Sequence, residues 1–455
     1  MPDPDQVLTA AQMRAAEEAL IEAGSSVAAL MDVVGRGAAD WVWRLAGRQR
    51  VTVLCGPGNN GGDGYVIAQA LRERGGDALV VAAYAPKTDA ARQARDMFTG
   101  EVLDRAADAR GEVFVDCLFG SGLTRALHAE DAALVVRLAA AHRISVAIDL
   151  PSGVETDSGA VLSEALPDYA LTLALGAWKP AHYLMPAAAA MGALHRVEIG
   201  VAAVPGAARV LTRPALRAPS AEAHKYRRGL VQVVGGAMPG AASLAAEAAL
   251  RAGAGYIRLS SDAPARASHA IVQSREPAFE KAKAVLVGPG LGRDAAAWER
   301  LSQALAANVP VVADADALWL LGEKAAEVPP PAIVTPHQGE FDRMFGAGEG
   351  SKLDRARAAA ARSGSVVVYK GPDTVIAAPD GRAILAPRAS TWLSTAGTGD
   401  VLAGLCAARL AVIGDPFTAA CEAVWLHGEA ARLAGAAFAA DDLVPQVPSA
   451  LAAGL

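Results

Sequence analysis

A chain of 455 residues is longer than one hydrophobic core ordinarily organises, and its length points to two or three domains. Hydrophobic residues make up 53% of it and charged residues 20%, enough for large cores, whereas aromatic residues are only 5%, too few for a base-stacking surface. The formal net charge of -6, with no long Lys/Arg block, argues against nucleic acid or an anionic membrane as partner. A phosphate-bearing small molecule stays open, because backbone N–H groups bind phosphate without net positive charge.

Met1-Pro2-Asp3-Pro4-Asp5 lacks the basic and apolar parts of a signal peptide. The alanine-rich stretch 183–194 contains Pro186 and is too short to cross a bilayer. A soluble cytoplasmic protein is expected. Cys55, Cys117, Cys406 and Cys421 show no metal-ligand spacing and read as small buried thiols. Thr9 and Gln12 stand at capping-box spacing and open a helix through about residue 23, followed by a second over 30–45. A strand at 51–54 runs into a glycine-rich turn, then a helix at 65–74 and a strand at 78–83. Strands at 113–115, 145–148, 170–173 and 196–199 continue the series, with helical segments between several of them. The economical fold is α/β, a βαβ sheet with helices on both faces.

Between 200 and 225 the pattern weakens, and Pro205, Pro214 and Pro219 mark a linker, which sets the domains at 1–212 and 213–455. A second alternating series follows. It holds a strand at 230–234, a helix at 241–251 and strands at 256–259 and 284–287. Further strands lie near Val311, Ile333 and Val366, and helices over 401–410 and 418–434.

The first candidate site is Gly56-Pro57-Gly58-Asn59-Asn60-Gly61-Gly62-Asp63-Gly64. Its five glycines let backbone N–H groups converge at a helix start. It is neither a Walker A loop nor a dinucleotide fingerprint. Asp116 and Asp149 each close an apolar strand, ahead of Gly120-Ser121-Gly122-Leu123 and Pro151-Ser152-Gly153. Ligands of open α/β sheets lie outside the carboxyl ends of strands. There Asn60, Asp116, Asp149 and Ser152 would offer oxygen ligands to a hard cation. Either aspartate alone also fits a helix cap or a turn.

Together the segments 56–64, 116–123 and 147–154 resemble the NAD(P)H-hydrate epimerase domain, or YjeF N-terminal family, and the likeness extends from Met13 to about Gly200. The resemblance implies a Rossmann-like three-layer sandwich acting on hydrated NADH or NADPH. Asn59, Asn60, Gly61, Gly62 and Asp63 would contact the hydrate, as would Gly120, Ser121, Gly122, Leu123, Thr124, Arg125, Ala126 and Asp149. Asn60, Asp116 and Ser152 would hold K+. Leu30-Met31-Asp32-Val33-Val34-Gly35 departs from the family's Met-Glu-Asn-Ala-Gly. Epimerisation needs a group that moves protons, and strand-end Asp149 is assigned that role, with a purely positional role as the alternative.

The second candidate site is Gly397-Thr398-Gly399-Asp400, which opens a late helix. Exposed N–H groups beside Asp400 suit phosphoryl transfer with Asp400 as general base, though an N-cap role fits Asp400 equally. Lys370-Gly371-Pro372-Asp373-Thr374, Thr335-Pro336-His337-Gln338-Gly339-Glu340 and Gly288–Gly292 each follow a strand. With His224-Lys225, Gly235-Gly236, Gly240-Ala241-Ala242 and Asp314–Asp316 they resemble the ADP/ATP-dependent NAD(P)H-hydrate dehydratase branch of the ribokinase-like fold, over about 222–436. That likeness implies that Ala241, Gly290, His337 and Asp400 face the hydrate. Lys370, Gly371, Pro372, Asp373, Thr374 and Gly399 would bind ADP or ATP. Apart from the likeness, the polar turn that holds His337 offers Glu340 the alternative role of organising water around Mg2+. Gly236-Ala237 stands where Gly-Ser is usual, and Ala396-Gly397-Thr398 where Gly-Gly-Ser is usual.

The two resemblances jointly imply a bifunctional enzyme of nicotinamide nucleotide repair, an isomerase and lyase in one chain. A homo-oligomer is consistent with the resemblance, without an assigned surface. The alternatives are a ribokinase-like kinase for a small alcohol of the hydroxymethylpyrimidine type, with an ancillary amino-terminal domain, and a nucleotide-binding sensor without turnover.

Overall fold

The computed structural model describes residues 3–264 and 266–455. The chain divides into two compact units, Met1–Ala208 and Arg209–Leu455. No helix among the described residues is long and apolar enough to cross a membrane.

The first unit opens with a short strand β1 (Gln6–Val7) and helices α1 (Ala10–Glu22) and α2 (Val27–Ala46). Thr9 caps α1 as its spacing predicts: its hydroxyl accepts from the Gln12 N–H, and its own N–H donates to Gln12 Oε1. Then come β2 (Val51–Cys55), α3 (Asn59–Glu73), β3 (Ala78–Ala82), α4 (Asp89–Met97), β4 (Val102–Asp104) and β5 (Gly111–Cys117). They are followed by α5 (Ala129–Ala140), β6 (His142–Ile148), β7 (Leu171–Leu175) and β8 (Ala193–Val197). The seven strands pair in the order β4-β3-β2-β5-β6-β7-β8, every pair parallel. A parallel sheet must be covered on both faces, which explains why β2 is buried at every position. Val51, Val53 and Cys55 meet α2 and α3 on one face. Leu54 and Phe114 meet Leu134, Val135 and Leu138 of α5 on the other. Each such aliphatic side chain contributes about 1.5–3 kcal/mol on burial.

Helix α3 differs from expectation. It begins at Asn59 rather than near residue 65, so the glycine-rich run forms its first turns. Glycine is a poor helix former, but here close packing overrides propensity. A Cβ on Gly62 would lie 2.5 Å from Met31 Cε, and one on Gly64 2.8 Å from Cys55 Sγ.

Strand β9 (Ala208–Val210) lies inside the expected linker and begins at the last residue of the first unit; the second unit continues with β10 (Leu230–Val234), α6 (Pro239–Arg251), β11 (Tyr256–Ser260), β12 (Ile271–Ser274) and β13 (Ala284–Val287). It continues with α7 (Ala295–Ala306), β14 (Val311–Ala313), α8 (Asp316–Lys324), β15 (Ile333–Val334), α9 (Gln338–Phe345), α10 (Lys352–Ser363) and β16 (Val366–Tyr369). Strands β17 (Val375–Ala377) and β18 (Ala383–Leu385) precede α11 (Thr398–Ile413) and α12 (Pro416–Ala434). The strands neighbour in the order β9-β18-β17-β16-β15-β14-β13-β10-β11-β12. Only β17 runs antiparallel to its neighbours. Helices α6, α11 and α12 pack a core of alanine and leucine against the sheet. Gly404 lets α11 approach α6, since a Cβ there would lie 2.2 Å from the Ala245 carbonyl oxygen.

The strand order of the first sheet reverses between β2 and β5, and that of the second sheet reverses between β10 and β13. Such a reversal opens a crevice at the strands' carboxyl ends, where open α/β sheets place ligands.

Candidate active sites

In the first unit the loop after β2 lies against the segment after β5. A Cβ on Gly56 would fall 1.8 Å from the Leu118 carbonyl oxygen, and one on Gly61 2.0 Å from that of Gly56. No side chain caps α3 at Gly58, so its first N–H groups open towards a ligand at the positive end of the helix dipole. A cavity of about 600 Å³ lies there. Of the residues expected at the hydrate, Asn59, Asn60, Asp63, Gly120–Arg125 and Asp149 line it. Gly61, Gly62 and Ala126 are not among its lining residues. Gly62 packs on Met31 instead, and its N–H bonds to the Gly58 carbonyl, 3.1 Å away.

Asp149 is held at a φ of 65°, the left-handed region. Its Oδ1 accepts from Lys179 Nζ at 2.5 Å and its Oδ2 from the Ser121 N–H at 3.1 Å. His182 Nε2 lies 2.8 Å from its backbone oxygen. Lys179 is 1% exposed and also donates to the Leu175 carbonyl at 2.6 Å. Burial alone would raise the Asp149 pKa, but the charge and hydrogen bond of Lys179 outweigh it and hold the carboxyl below its usual value. Burial pushes Asp63 well above the carboxylate range, with Asp149 and Glu17 adding to the effect. Glu17 is raised too, chiefly by burial. One cavity thus holds a fixed carboxylate anion and a carboxyl that favours its proton.

Asp116 accepts from four donors: the Leu118 N–H, the Ser152 N–H, the Ser152 hydroxyl and the Tyr169 hydroxyl. Asn60 differs, because both polar atoms of its side-chain amide are buried without a hydrogen-bond partner. An orphaned buried amide costs about 1–3 kcal/mol unless a ligand satisfies it.

Lys179, His182, Glu17 and Tyr169 were not singled out from the sequence. The available signal is Lys179 itself: a lysine following the apolar strand-like run 171–175 needs a buried anion if it lies inside.

In the second unit the loops after β10 and β13 interlock. A Cβ on Gly236 would lie 2.1 Å from the Leu291 carbonyl oxygen, and one on Gly290 2.1 Å from that of Met238. Lys370, just after β16, donates to Asp314 Oδ1 at 2.8 Å and lies 3.9 Å from Glu340 Oε2. Asp314 follows β14 and is 1% exposed. Gly397 caps α11 in the left-handed region, with a φ of 92°. A Cβ on Gly399 would lie 3.5 Å from Lys370 Nζ and 4.0 Å from Asp314 Oδ2, so the first turn of α11 abuts this ion pair. Asp400 has its pKa raised to about 7. Burial is the main cause; Asp314, Asp316 and Glu340 add to it, and Lys370 opposes it.

Several expected ligand residues already serve the protein. His337 caps α9: its Nδ1 accepts from the N–H groups of Gly339 and Glu340, while Glu340 Oε2 accepts from the His337 N–H. Its imidazole is still 61% exposed. Asp373 is turned inward, its Oδ1 2.5 Å from Lys352 Nζ. The Gly371 N–H bonds to Thr374 Oγ1, whose hydroxyl donates back to the Gly371 carbonyl. Pro372 is exposed. Ala241 lies in the first turn of α6. Thr335 Oγ1 is buried without a partner, as is Nε2 of His427, whose pKa burial lowers to about 4. Neither had been assigned a role of its own. Lys352, beneath the 370–374 loop, was also missed: Gly371 admits it, since a Cβ there would lie 2.5 Å from Lys352 Nζ.

Residues 27–181 match the family model for the YjeF-related protein N-terminus, and residues 231–451 that for NAD(P)H-hydrate dehydratase. The chain is 35% identical to the bifunctional NAD(P)H-hydrate repair enzyme Nnr of Salinibacter ruber, over 97% of this chain and 95% of that protein. It is also 35% identical to the enzyme of the same name from Gloeobacter violaceus, over 92% of each. Among solved structures, an ADP/ATP-dependent NAD(P)H-hydrate dehydratase from Bacillus subtilis, co-crystallised with ATP/Mg2+, aligns at 30% identity with a TM-score of 0.47. It covers 53% of this chain and 95% of that one.

Proposed function

The chain belongs to the family of bifunctional NAD(P)H-hydrate repair enzymes, and from that premise we propose a division of labour. The Met1–Ala208 unit interconverts the R and S forms of hydrated NADH or NADPH. The Arg209–Leu455 unit dehydrates the S form at the expense of ADP or ATP. The observation that carries this reading is the presence of two separate sets of buried ionisable groups, Asp149 with Lys179 in the first unit and Asp314 with Lys370 beside Asp400 in the second.

In the second unit Asp400 takes the proton of the hydrate's hydroxyl, whose oxygen attacks the terminal phosphorus of the donor as the bond to AMP (or ADP) breaks. A general base is most useful when its pKa lies near the working pH. The carbon–oxygen bond then breaks with loss of a proton from the adjacent carbon, releasing inorganic phosphate and restoring the dihydronicotinamide. Phosphorylation is needed because hydroxide is a poor leaving group. Lys370 neutralises donor phosphate, and the free N–H groups at the start of α11 stabilise the charge on the transferred group. His337 and Ala241 line the hydrate's approach.

No three His, Cys, Asp or Glu side chains among the described residues converge on a metal position. Magnesium would therefore arrive on the donor phosphates with water as its other ligands, and when bound would offset their charge. Glu340 would hold that water. For potassium the oxygen set of Asn60, Asp116 and Ser152 fits: Asn60 Oδ1 is buried and unpartnered. K+ there would supply positive charge next to a bound nucleotide.

The test is recovery of near-ultraviolet absorbance from a mixed-epimer NADH hydrate, with ADP or ATP, Mg2+ and K+. Recovery beyond the S fraction is expected, and Asp149→Asn should lose only that excess. Accumulation of a stable phosphorylated product instead would favour the small-alcohol kinase.

A further inference from the structure

Hydration of an enamine places the hydroxyl on the carbon bonded to nitrogen, so the two epimers differ at a carbon carrying both O–H and ring N. Inverting that centre requires a group that accepts and returns one proton. We propose that Asp63 is that group, and that Asp149 is the fixed anion beside it, an inference that rests on the epimerase reading of the first unit.

The geometry separates two carboxylates of one cavity. Asp149 has no freedom left. Both its oxygens accept hydrogen bonds from Lys179 and Ser121, its own N–H donates to the Leu173 carbonyl at 2.8 Å, and its backbone lies in the left-handed region. A carboxylate so saturated is a poor proton acceptor. Asp63 is 7% exposed, yet its carboxyl has no hydrogen-bond partner among the described residues and lines the cavity. A buried carboxyl is left open in this way when a ligand completes it. Its direction is fixed, because Gly62 and Gly64 on either side lock α3 against Met31 and against Cys55 and Cys117.

The ionisable groups around Asp63 come from five parts of the fold. They are Asp149 at the end of β6, paired with Lys179 beyond β7, Glu17 on α1, and the thiols Cys55 and Cys117 beneath. Burial and, after it, the neighbouring negative charges of Asp149 and Glu17 raise Asp63's affinity for a proton, so of the two carboxyls it is the one suited to taking a proton and returning it.

The step balances within the substrate. Asp63 takes the hydroxyl proton, the carbon–nitrogen bond breaks with its electron pair going to the ring nitrogen, and Asp63 returns the proton to that nitrogen. The open aldehyde rotates about the adjacent carbon–carbon bond, and the reverse sequence closes the ring on the other face. No oxidant, reductant or added water is consumed.

The experiment follows epimerisation alone. The full chain is given pure R-hydrate without a phosphoryl donor, and the two forms are separated by chromatography across a pH series. In the wild type the rate rises with pH through a midpoint above the ordinary carboxylate value of about 4. Asp63→Asn lowers the rate by about 10²–10⁴-fold and removes that limb. Asp149→Asn also slows the reaction but keeps the limb and moves it to lower pH, since a negative neighbour is lost. Asp63→Glu, which keeps a carboxyl, retains partial activity with the limb present. The assignment is overturned if Asp63→Asn stays within about 5-fold of wild type, or if the wild-type midpoint lies at or below the ordinary carboxylate value. Should Asp63→Asn fail to fold, the Asp63→Glu profile and the wild-type midpoint decide. No interconversion by the wild type at all would refute the epimerase reading, not the choice between the two aspartates.

Discussion

Replacing Asp400 by Asn should stabilise the second unit at high pH while abolishing its chemistry. The folded-state pKa is raised from 3.8 to about 7, roughly 3 units. At 1.36 kcal/mol per unit that is at most about 4 kcal/mol. The side chain is only partly enclosed, so an effective penalty of about 1–3 kcal/mol is the better expectation. Because the folded state holds the proton more tightly than the unfolded one, the carboxyl costs nothing below about pH 4. The penalty grows as pH rises and is complete above about 7. Asp400→Asn should therefore match wild type near pH 4 and exceed it by about 1–3 kcal/mol near pH 8. Urea unfolding at the two pH values measures this, reading the transition that also responds to adenine nucleotide. The same variant should lose dehydration by about 10²–10⁴-fold, and wild-type dehydration should rise with pH through about 7. Equal stability of variant and wild type near pH 8, together with a pH-independent dehydration rate, would refute the argument that burial and Asp314 poise this carboxyl.

Lys179→Met leaves Asp149 buried without its cation; a loss of about 3–5 kcal/mol in urea unfolding is expected, with epimerisation lost and dehydration of pure S-hydrate retained. Arg409→Met breaks the buried pair with Glu422, whose Nε–Oε2 distance is 2.6 Å, and removes a hydrogen bond to the Ala252 carbonyl; the expected cost is again about 3–5 kcal/mol by urea unfolding, with both activities retained at low temperature. Gly404→Ala inserts a Cβ against the Ala245 carbonyl and should lower stability by about 1–3 kcal/mol, whereas Gly58→Ala, which meets nothing within 4 Å, should be nearly neutral by the same measure.

Periodicity and punctuation carried most of the fold. The strands at 51–54, 113–115 and 145–148 are buried apolar runs, and such runs are legible because a doubly covered parallel sheet requires them. The start of α3 was not legible, since three glycines among its first six residues argue for a turn on propensity, and only the contacts of Gly62 and Gly64 make them helical. β9 was hidden for a related reason: three residues in a proline-rich stretch carry no periodicity, and their partner β18 is far along the chain. At the sites, the strand-end aspartates could be found because loops at carboxyl ends of strands carry function. What each carboxylate does could not, because that depends on partners distant in sequence. Lys179 holds Asp149 from 30 positions away, and Lys352 turns Asp373 inward from 21. Glycine-rich spacing likewise could not tell which N–H groups stay free, as Gly62 and Gly371 show.

The claim that two sites on one chain act in succession on one metabolite is tested most directly with pure R-hydrate, a phosphoryl donor and three proteins. Wild type should regenerate NADH, whereas Asp149→Asn alone should do so far more slowly and Asp400→Asn alone should fail. A mixture of the two variants should recover the activity, because S-hydrate made by one chain can be dehydrated by the other. Regeneration from S-hydrate but never from R-hydrate by the wild type, or full activity of either variant alone, would contradict the account.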